Sequence, residues 1–252
     1  MTEHLYIPDT QVKRGVPTEH IQAAGELIID RKPDVVIVGG DWWDFPSLNT
    51  HTPKERICYD HRSYMEDFVA GLYALTILLE PINTHNEKRR KNKEKQYRPR
   101  MVFTLGNHEY RAERLLEQQP MLSGAIPRVE DEIAHLGFEV HEYKQPVVID
   151  GVTYCHNCPQ PNAAGCVSRA HLIMNKRHAS WTVGHTPGLD YFVSPHEPRI
   201  QCLVTGSFYM HDEDFKKGSN DHHRGLVYKR HVHNGTYDPE FISIRGLLED
   251  YG

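Results

Sequence analysis

The sequence predicts an α/β fold, and two observations carry that prediction. Residues 4–8 (His4-Leu5-Tyr6-Ile7-Pro8) are a short apolar run, residues 18–31 set Ile21, Ala24, Leu27 and Ile28 at helical spacing, and residues 34–39 (Asp34-Val35-Val36-Ile37-Val38-Gly39) are a second run. This is a strand-helix-strand unit, whose right-handed crossover implies parallel pairing. The second observation is how the apolar runs end. Residues 4–8 lead into Asp9-Thr10-Gln11, 34–39 into Gly40-Asp41-Trp42-Trp43-Asp44, and Val102-Phe103-Thr104-Leu105 into Gly106-Asn107-His108-Glu109. Val152-Thr153-Tyr154-Cys155 leads into His156-Asn157, and Ser180-Trp181-Thr182-Val183 into Gly184-His185-Thr186-Pro187. In open α/β sheets sites form at the carboxyl ends of strands, so these five ends are where chemistry is expected.

The remaining elements follow in order. Thr18 is the N-cap candidate for the first helix, and Pro33 stops it. A second helix is expected over about 60–80, where Phe68, Leu72, Leu75 and Leu79 recur at three and four residues, with its end at Pro81. Helices are also expected from Tyr110 to Gln119, over about 127–136 and over 166–179. Phe138 to Tyr143 alternates, and Pro146-Val147-Val148-Ile149 meets Asp150-Gly151, a hairpin signal into Val152. Cys202–Val204, Gly225–Lys229 and Phe241–Ile244 are closing strands, with a turn at Asn234-Gly235. There is no internal repeat or low-complexity linker.

Composition bounds the function. At 252 residues the chain can bury a sizeable core, and one domain is expected. A net charge of -5 gives no global attraction to nucleic acid or anionic membrane, so such binding would need a local patch. The one dense patch is Lys88-Arg89-Arg90-Lys91-Asn92-Lys93-Glu94-Lys95, followed by Arg98 and Arg100. Its plain reading is a solvated helix end; the sharper one is a phosphate-backbone contact for a nucleic-acid substrate through residues 88–100. With only Tyr97 interleaved, base readout is not indicated. Five cysteines do not make a disulfide framework, and no apolar stretch approaches the roughly 20 residues of a membrane span. With no basic-then-apolar leader, the expected compartment is a reducing cytoplasm. Cys155-x-x-Cys158 with Cys166 is a rival zinc reading, weakened because no second pair stands at structural-zinc spacing.

The ordered strand ends resemble the calcineurin-like metallophosphoesterases, whose marks are D-x-H, G-D-x-x-D, G-N-H-[DE], a lone His and G-H-x-H. Here they stand as Asp9-x-Gln11, Gly40-Asp41-x-x-Asp44, Gly106-Asn107-His108-Glu109, His156 and Gly184-His185, covering residues 5–187. The resemblance implies a four-layer α/β/β/α sandwich of two mixed sheets flanked by helices, spanning 1–252 with no separate cap domain, and a site across the carboxyl edges of both sheets. It implies hydrolysis of a phosphate ester with two divalent ions. Asp9 and Gln11 would belong to the first ion, Asn107, His156 and His185 to the second, and Asp41 would bridge them. Such a pair lowers the pKa of a bound water toward ~7 and clamps the phosphoryl oxygens. His108 would not be a ligand; it would stabilise the transition state or protonate the leaving oxygen, with Asp44 orienting it. Nitrogen and oxygen ligands without thiolate suit Mn first, with Fe, Zn, Ni or Mg as alternatives.

Three departures from the family pattern shape the expected activity. Gln11 replaces the His of D-x-H, and Pro187 replaces the second His of G-H-x-H. The first site should therefore be weaker and favour a hard ion such as Mn, unless His211, His222 or His223 folds back to it. Finally, Phe45-Pro46-Ser47 follows Asp44 where protein phosphatases carry an arginine. The stretch Gly40 to Leu48 instead resembles short, capless phosphoesterases of bacteriophages and prophages, which places the chain in a bacterial or phage-infected cytoplasm. The leading expectation is a phosphodiesterase, either a nuclease or a small-diester hydrolase. A nucleotide or phosphoprotein phosphomonoesterase comes second, and a non-catalytic scaffold third. Arg111, Trp42 and His51 are the expected substrate contacts.

Overall fold

Alternation along the central strands sorts apolar side chains onto two faces, and the layers follow from that sorting. In the computed structural model, which describes residues 1–49, 63–160, 165–212 and 222–252, β1 (Thr2–Ile7), α1 (Glu19–Arg31) and β2 (Val35–Val38) form the expected crossover unit. Then come α2 (Tyr64–Lys91), β3 (Arg100–Thr104), α3 (Asn107–Gln118), α4 (Val129–His135) and β4 (Glu139–His141). The second half holds β5 (Val147–Ile149), β6 (Val152–Cys155), β7 (Cys158–Pro159), β8 (Cys166–Val167), α5 (Ala170–Arg177) and β9 (Ser180–Val183). It closes with β10 (Leu189–Val193), β11 (Gln201–Thr205), β12 (Gly225–His233), β13 (Thr236–Ser243) and α6 (Ile244–Tyr251).

Among the described residues eleven strands make two mixed sheets, and β7 and β8 pair with each other alone. The first has six strands in the order β13-β12-β1-β2-β3-β4, parallel from β1 to β4 and antiparallel at β12. The second has five in the order β10-β11-β9-β6-β5, parallel at its centre and antiparallel at both edges. Leu5, Ile7, Val36, Val38 and Phe103 point from the first sheet to Ile21, Leu27 and Leu75 of α1 and α2. Their neighbours Tyr6, Val35, Ile37 and Val102 point the other way and meet Val147, Val152 and Tyr154 between the sheets. On the outer face of the second sheet, Trp181, Val183 and Val204 pack against Ala170 and Ile173 of α5. The result is the four-layer sandwich expected above.

Several local expectations are corrected. The second helix does not end at Pro81 but runs through it to Lys91. A Cβ at Gly25 of α1 would lie 2.6 Å from the Leu78 carbonyl and 2.9 Å from Pro81 Cγ, so the two helices touch backbone to backbone there. That packing, with Ile82 buried beyond the proline, outweighs the one hydrogen bond that proline removes. The last turn then carries Lys88, Arg89, Arg90 and Lys91, which complement the helix dipole. Thr18 makes no side-chain cap bond. Cys166–Val167 pairs with Cys158–Pro159, and the fifth helix begins only at Ala170. Strand β10 and helix α6 were not foreseen. At Asn234-Gly235, φ values of 48° and 85° make the expected hairpin turn. The basic run falls at the amino end of β3, and the five-residue strand puts about 16 Å between it and Asn107. No described helix is long and apolar enough to cross a membrane.

Candidate metal centre

Strand ends deliver the site. Asp9 follows β1, Asp41 follows β2, Asn107 and His108 open α3, His156 follows β6 and His185 follows β9. The loops pack too closely to tolerate side chains at two glycines. A Cβ on Gly40 (φ 85°) would lie 2.5 Å from the Thr104 carbonyl, and one on Gly106 would lie 2.2 Å from Asp41 Oδ1. Both positions therefore require glycine. Asp41 itself sits at φ 47°, held there by its neighbours. The Thr10 and Gln11 amides donate to its carbonyl at 3.1 and 2.9 Å. The Glu109 carboxylate accepts the amides of Asp41, Trp43 and Gly106 at 2.9, 3.1 and 2.8 Å.

Around His156 the acceptors converge. Its Nδ1 donates to the Gly39 carbonyl at 2.9 Å, which turns Nε2 inward. Within 3.1 Å of Nε2 lies Asn107 Oδ1, within 3.2 Å His185 Nδ1, and within 3.4 Å Asp41 Oδ2. With Nδ1 given to Gly39, the inward Nε2 meets these acceptors through its own proton, and a bound metal would take that proton's place. Backbone-oriented imidazole with facing carboxylate and amide oxygens suits a borderline divalent metal. Among the described residues, the group of three such side chains able to hold an ion is Asp41, His156 and His185. Asp9 closes the site from behind, its Oδ1 accepting the His185 amide at 2.9 Å and lying 3.9 Å from His156 Nδ1.

The charges answer one another. Burial opposes charge on His156, but the facing Asp41 and Asp9 carboxylates raise it to about 10. Burial likewise lifts Asp9 to about 7 against the pull of His156, while Asp41 is held far below the carboxylate range by His108 and His156 despite its burial. Burial and His156 push His185 down to about 4, leaving a neutral imidazole free to ligate. His108 flanks this cluster. Its Nε2 is 3.7 Å from Asp41 Oδ2 and its Nδ1 is 3.6 Å from Asp44 Oδ1. Lys13 Nζ takes the other Asp44 oxygen at 2.9 Å, and the Arg111 guanidinium donates to the Asp44 carbonyl at 3.2 Å.

The remaining expected residues are placed as follows. Gln11 lies beside Asp41 through its backbone. Trp42, expected at the substrate, is corrected: it is fully buried and its indole donates to the Gly71 carbonyl at 3.0 Å, because α2 covers it. His51 lies outside the described residues. Among the described residues His211, His222 and His223 belong to no metal-competent group, and neither do the thiols. Cys155, Cys158 and Cys202 are buried beneath α5, where Arg177 Nε donates to Cys158 Sγ at 3.3 Å. Sequence reasoning missed the Glu109 clamp and Lys13. Glu109 carried a signal, since a Glu three residues after a strand-ending glycine can bond back to that amide. Lys13 carried none.

No protein-family model matches the chain, and no curated protein matches it in sequence. Among solved structures it is similar to Yfce, a phosphoesterase from E. coli, at 13% identity over 96% of this chain and 100% of that one, TM-score 0.35. It is also similar to TT1561 of Thermus thermophilus, at 11% identity over 82% and 89%, TM-score 0.33. A third is wild-type Vps29 complexed with zinc from Entamoeba histolytica, at 11% identity over 96% and 99%, TM-score 0.35. Likenesses this distant carry no functional argument, and the reading of the chain rests on the convergence at His156.

Proposed function

We propose that this chain is a metal-dependent phosphoesterase that hydrolyses phosphodiesters in preference to monoesters. The carrying observation is the meeting of His156 Nε2, Asn107 Oδ1, His185 Nδ1 and Asp41 Oδ2 around one point beside His108. Asp9, Gln11 and Asp41 would hold one divalent ion, and Asp41, Asn107, His156 and His185 the other, with Mn favoured. Bound there, the ions would supply an activated water and charge neutralisation on the phosphoryl oxygens. The chain's own contribution is positioning and proton transfer. Asp44, fixed by Lys13, faces Nδ1 of His108 at 3.6 Å and would steady the ring's charge as Nε2 gives a proton to the leaving oxygen.

The preference for diesters is supported at Phe45, the position after Asp44. This residue is fully buried and stacked between Trp43 and Tyr64, so the position itself supplies no guanidinium to clamp a dianionic monoester, and the neighbouring Arg111 is engaged with the Asp44 carbonyl. A small diester is favoured over a polynucleotide because the basic run lies at the far edge of the sheet.

The test compares hydrolysis of bis-p-nitrophenyl phosphate and p-nitrophenyl phosphate with Mn, each corrected by the Asp41→Asn protein made the same way. A ratio above one is expected. One well below would make the chain a monoesterase, and activity no greater than the variant's on both esters would make the fold a scaffold.

A further inference from the structure

A groove of about 570 Å³ opens between the loop after β1 and the first turns of α2. Met65, Val69 and Tyr73 form its floor, one helical turn apart, with exposures of 44, 55 and 64%. Val16 adds an apolar wall, and Lys13 and Arg14 stand on the loop side. Three large apolar side chains in one row on an otherwise polar helix surface mark a place that something covers. The volume lies within the ~300–1,000 Å³ of small-molecule sites.

The groove and the metal centre share Lys13. That side chain lines it, yet its ammonium is bound to Asp44, and Asp44 in turn faces His108. A diester held at the ions, with one arm leaving at His108, has beside Asp44 a cationic, then apolar, path along which its retained arm can lie. Arg14 is steered along the same edge by Glu66 at 2.9 Å.

We propose that this groove is the subsite for the organic arm that the substrate keeps after cleavage, and that the substrate is a phosphodiester whose retained arm is aromatic or similarly apolar. This deepens the proposed phosphoesterase reading and rests on it. The occupant is a small anionic ester, not a protein, because the groove begins at a residue bonded to the site and its lining sets two cations, Lys13 and Arg14, against the single carboxylate of Glu66. Ring burial on Val69 and Tyr73 gives the selectivity. A methyl arm is too short to reach them.

The experiment measures kcat/KM with Mn for phenyl p-nitrophenyl phosphate and methyl p-nitrophenyl phosphate, in the wild type and in Val69→Asp and Tyr73→Ser. The two substitutions lie on an exposed helix face and leave the core intact. The wild-type preference for the phenyl ester is expected to be at least about 10-fold, the size of a modest apolar contact, and to fall several-fold in both variants. A ratio near one that neither substitution changes overturns the groove while leaving the phosphoesterase reading standing. Hydrolysis of neither ester above the Asp41→Asn background overturns the phosphoesterase reading, and the groove is then decided separately by binding. Phenylphosphonate is titrated against protein carrying ¹³C-methyl methionine, with Met65 assigned through Met65→Leu. A saturable shift of the Met65 methyl, lost in Val69→Asp, supports the subsite, and no shift overturns it. Self-association in sedimentation that Val69→Asp abolishes also overturns it, because the face would then cover a second copy.

Discussion

The Glu109 carboxylate and the Asp41 amide lie 2.9 Å apart, a bond that ties the loop after β2 to the first turn of α3. With the Trp43 and Gly106 amides on the same carboxylate, one side chain holds two of the loops that carry the ligands. Glu109→Ala should strand buried amides and cost on the order of 3 kcal/mol. It should also weaken metal binding, since Asp41 would relax from its left-handed backbone. Glu109→Gln, which keeps an accepting oxygen, should lose less. Urea unfolding with an unchanged m-value, alongside Mn titration, checks this; a loss below about 1 kcal/mol in Glu109→Ala would mean that water replaces the clamp.

Asp41 and His108 are separable by metal content. Asp41→Asn should abolish hydrolysis and weaken retention of the ions. His108→Asn should keep them while lowering the rate on the order of 10²-fold or more. Metal analysis of both purified proteins, with rates on bis-p-nitrophenyl phosphate, checks the pair. Loss of the ions in His108→Asn would make His108 a ligand.

Much of this site was legible because metal chemistry needs particular donors at strand ends, and a strand end is marked locally by a glycine after a β-branched run. Asp41, Asn107 and His185 carried that mark, and His156 carried the apolar run without the glycine. What was illegible depends on packing between distant elements. Pro81 stops a helix by local rules, and only the contact with Gly25 of α1 keeps α2 going. Trp42 was a plausible stacking surface until α2 was laid across it. Lys13 entered the site because the loop after β1 pairs with the loop after β2, Val12 beside Trp43. Strand β10 was hidden because its side chains are only partly buried, so alternation is weak.

Two histidines far from the metals set an acid limit on stability. His4 is wholly enclosed between the sheets, bonded to Tyr154 at 2.8 Å and to Asp150 at 3.0 Å, and His20 donates to the Phe208 carbonyl at 2.9 Å. Burial lowers each to about 4 from an ordinary 6.5. Between those values the unfolded chain binds protons that the folded rings refuse, so stability is full above pH 6.5 and falls as the pH drops toward 4. Each ring can contribute up to about 3 kcal/mol of that loss. The check is the difference between the wild type and His20→Gln from pH 7 to 4.5, which should narrow by at least about 1 kcal/mol as the pH falls. A difference constant with pH would mean that His20 takes up its proton as readily in the folded protein as in the unfolded chain.

Lys229 offers the sharpest test of how the two sheets are held together. It is fully buried, with Nζ 4.1 and 4.6 Å from the ring centres of Tyr237 and Tyr154 and hydroxyl partners at Tyr154 and Thr182. Among the described residues no carboxylate pairs with it. Two effects compete there. The rings would favour a cation by ~2 kcal/mol, whereas stripping water from an ammonium costs several kcal/mol, so desolvation wins and the amine is pushed well below 10.5. Burial of this amine therefore costs stability wherever the unfolded chain carries its proton. Lys229→Met, similar in length and without that cost, should be more stable by about 1–3 kcal/mol at pH 7, with the gain shrinking toward pH 10 as the unfolded wild type also loses its proton. Urea midpoints of both proteins at the two pH values decide it. A less stable variant at pH 7 would show that the aromatic pair holds a charged ammonium, and that the balance of the two effects had been drawn the wrong way.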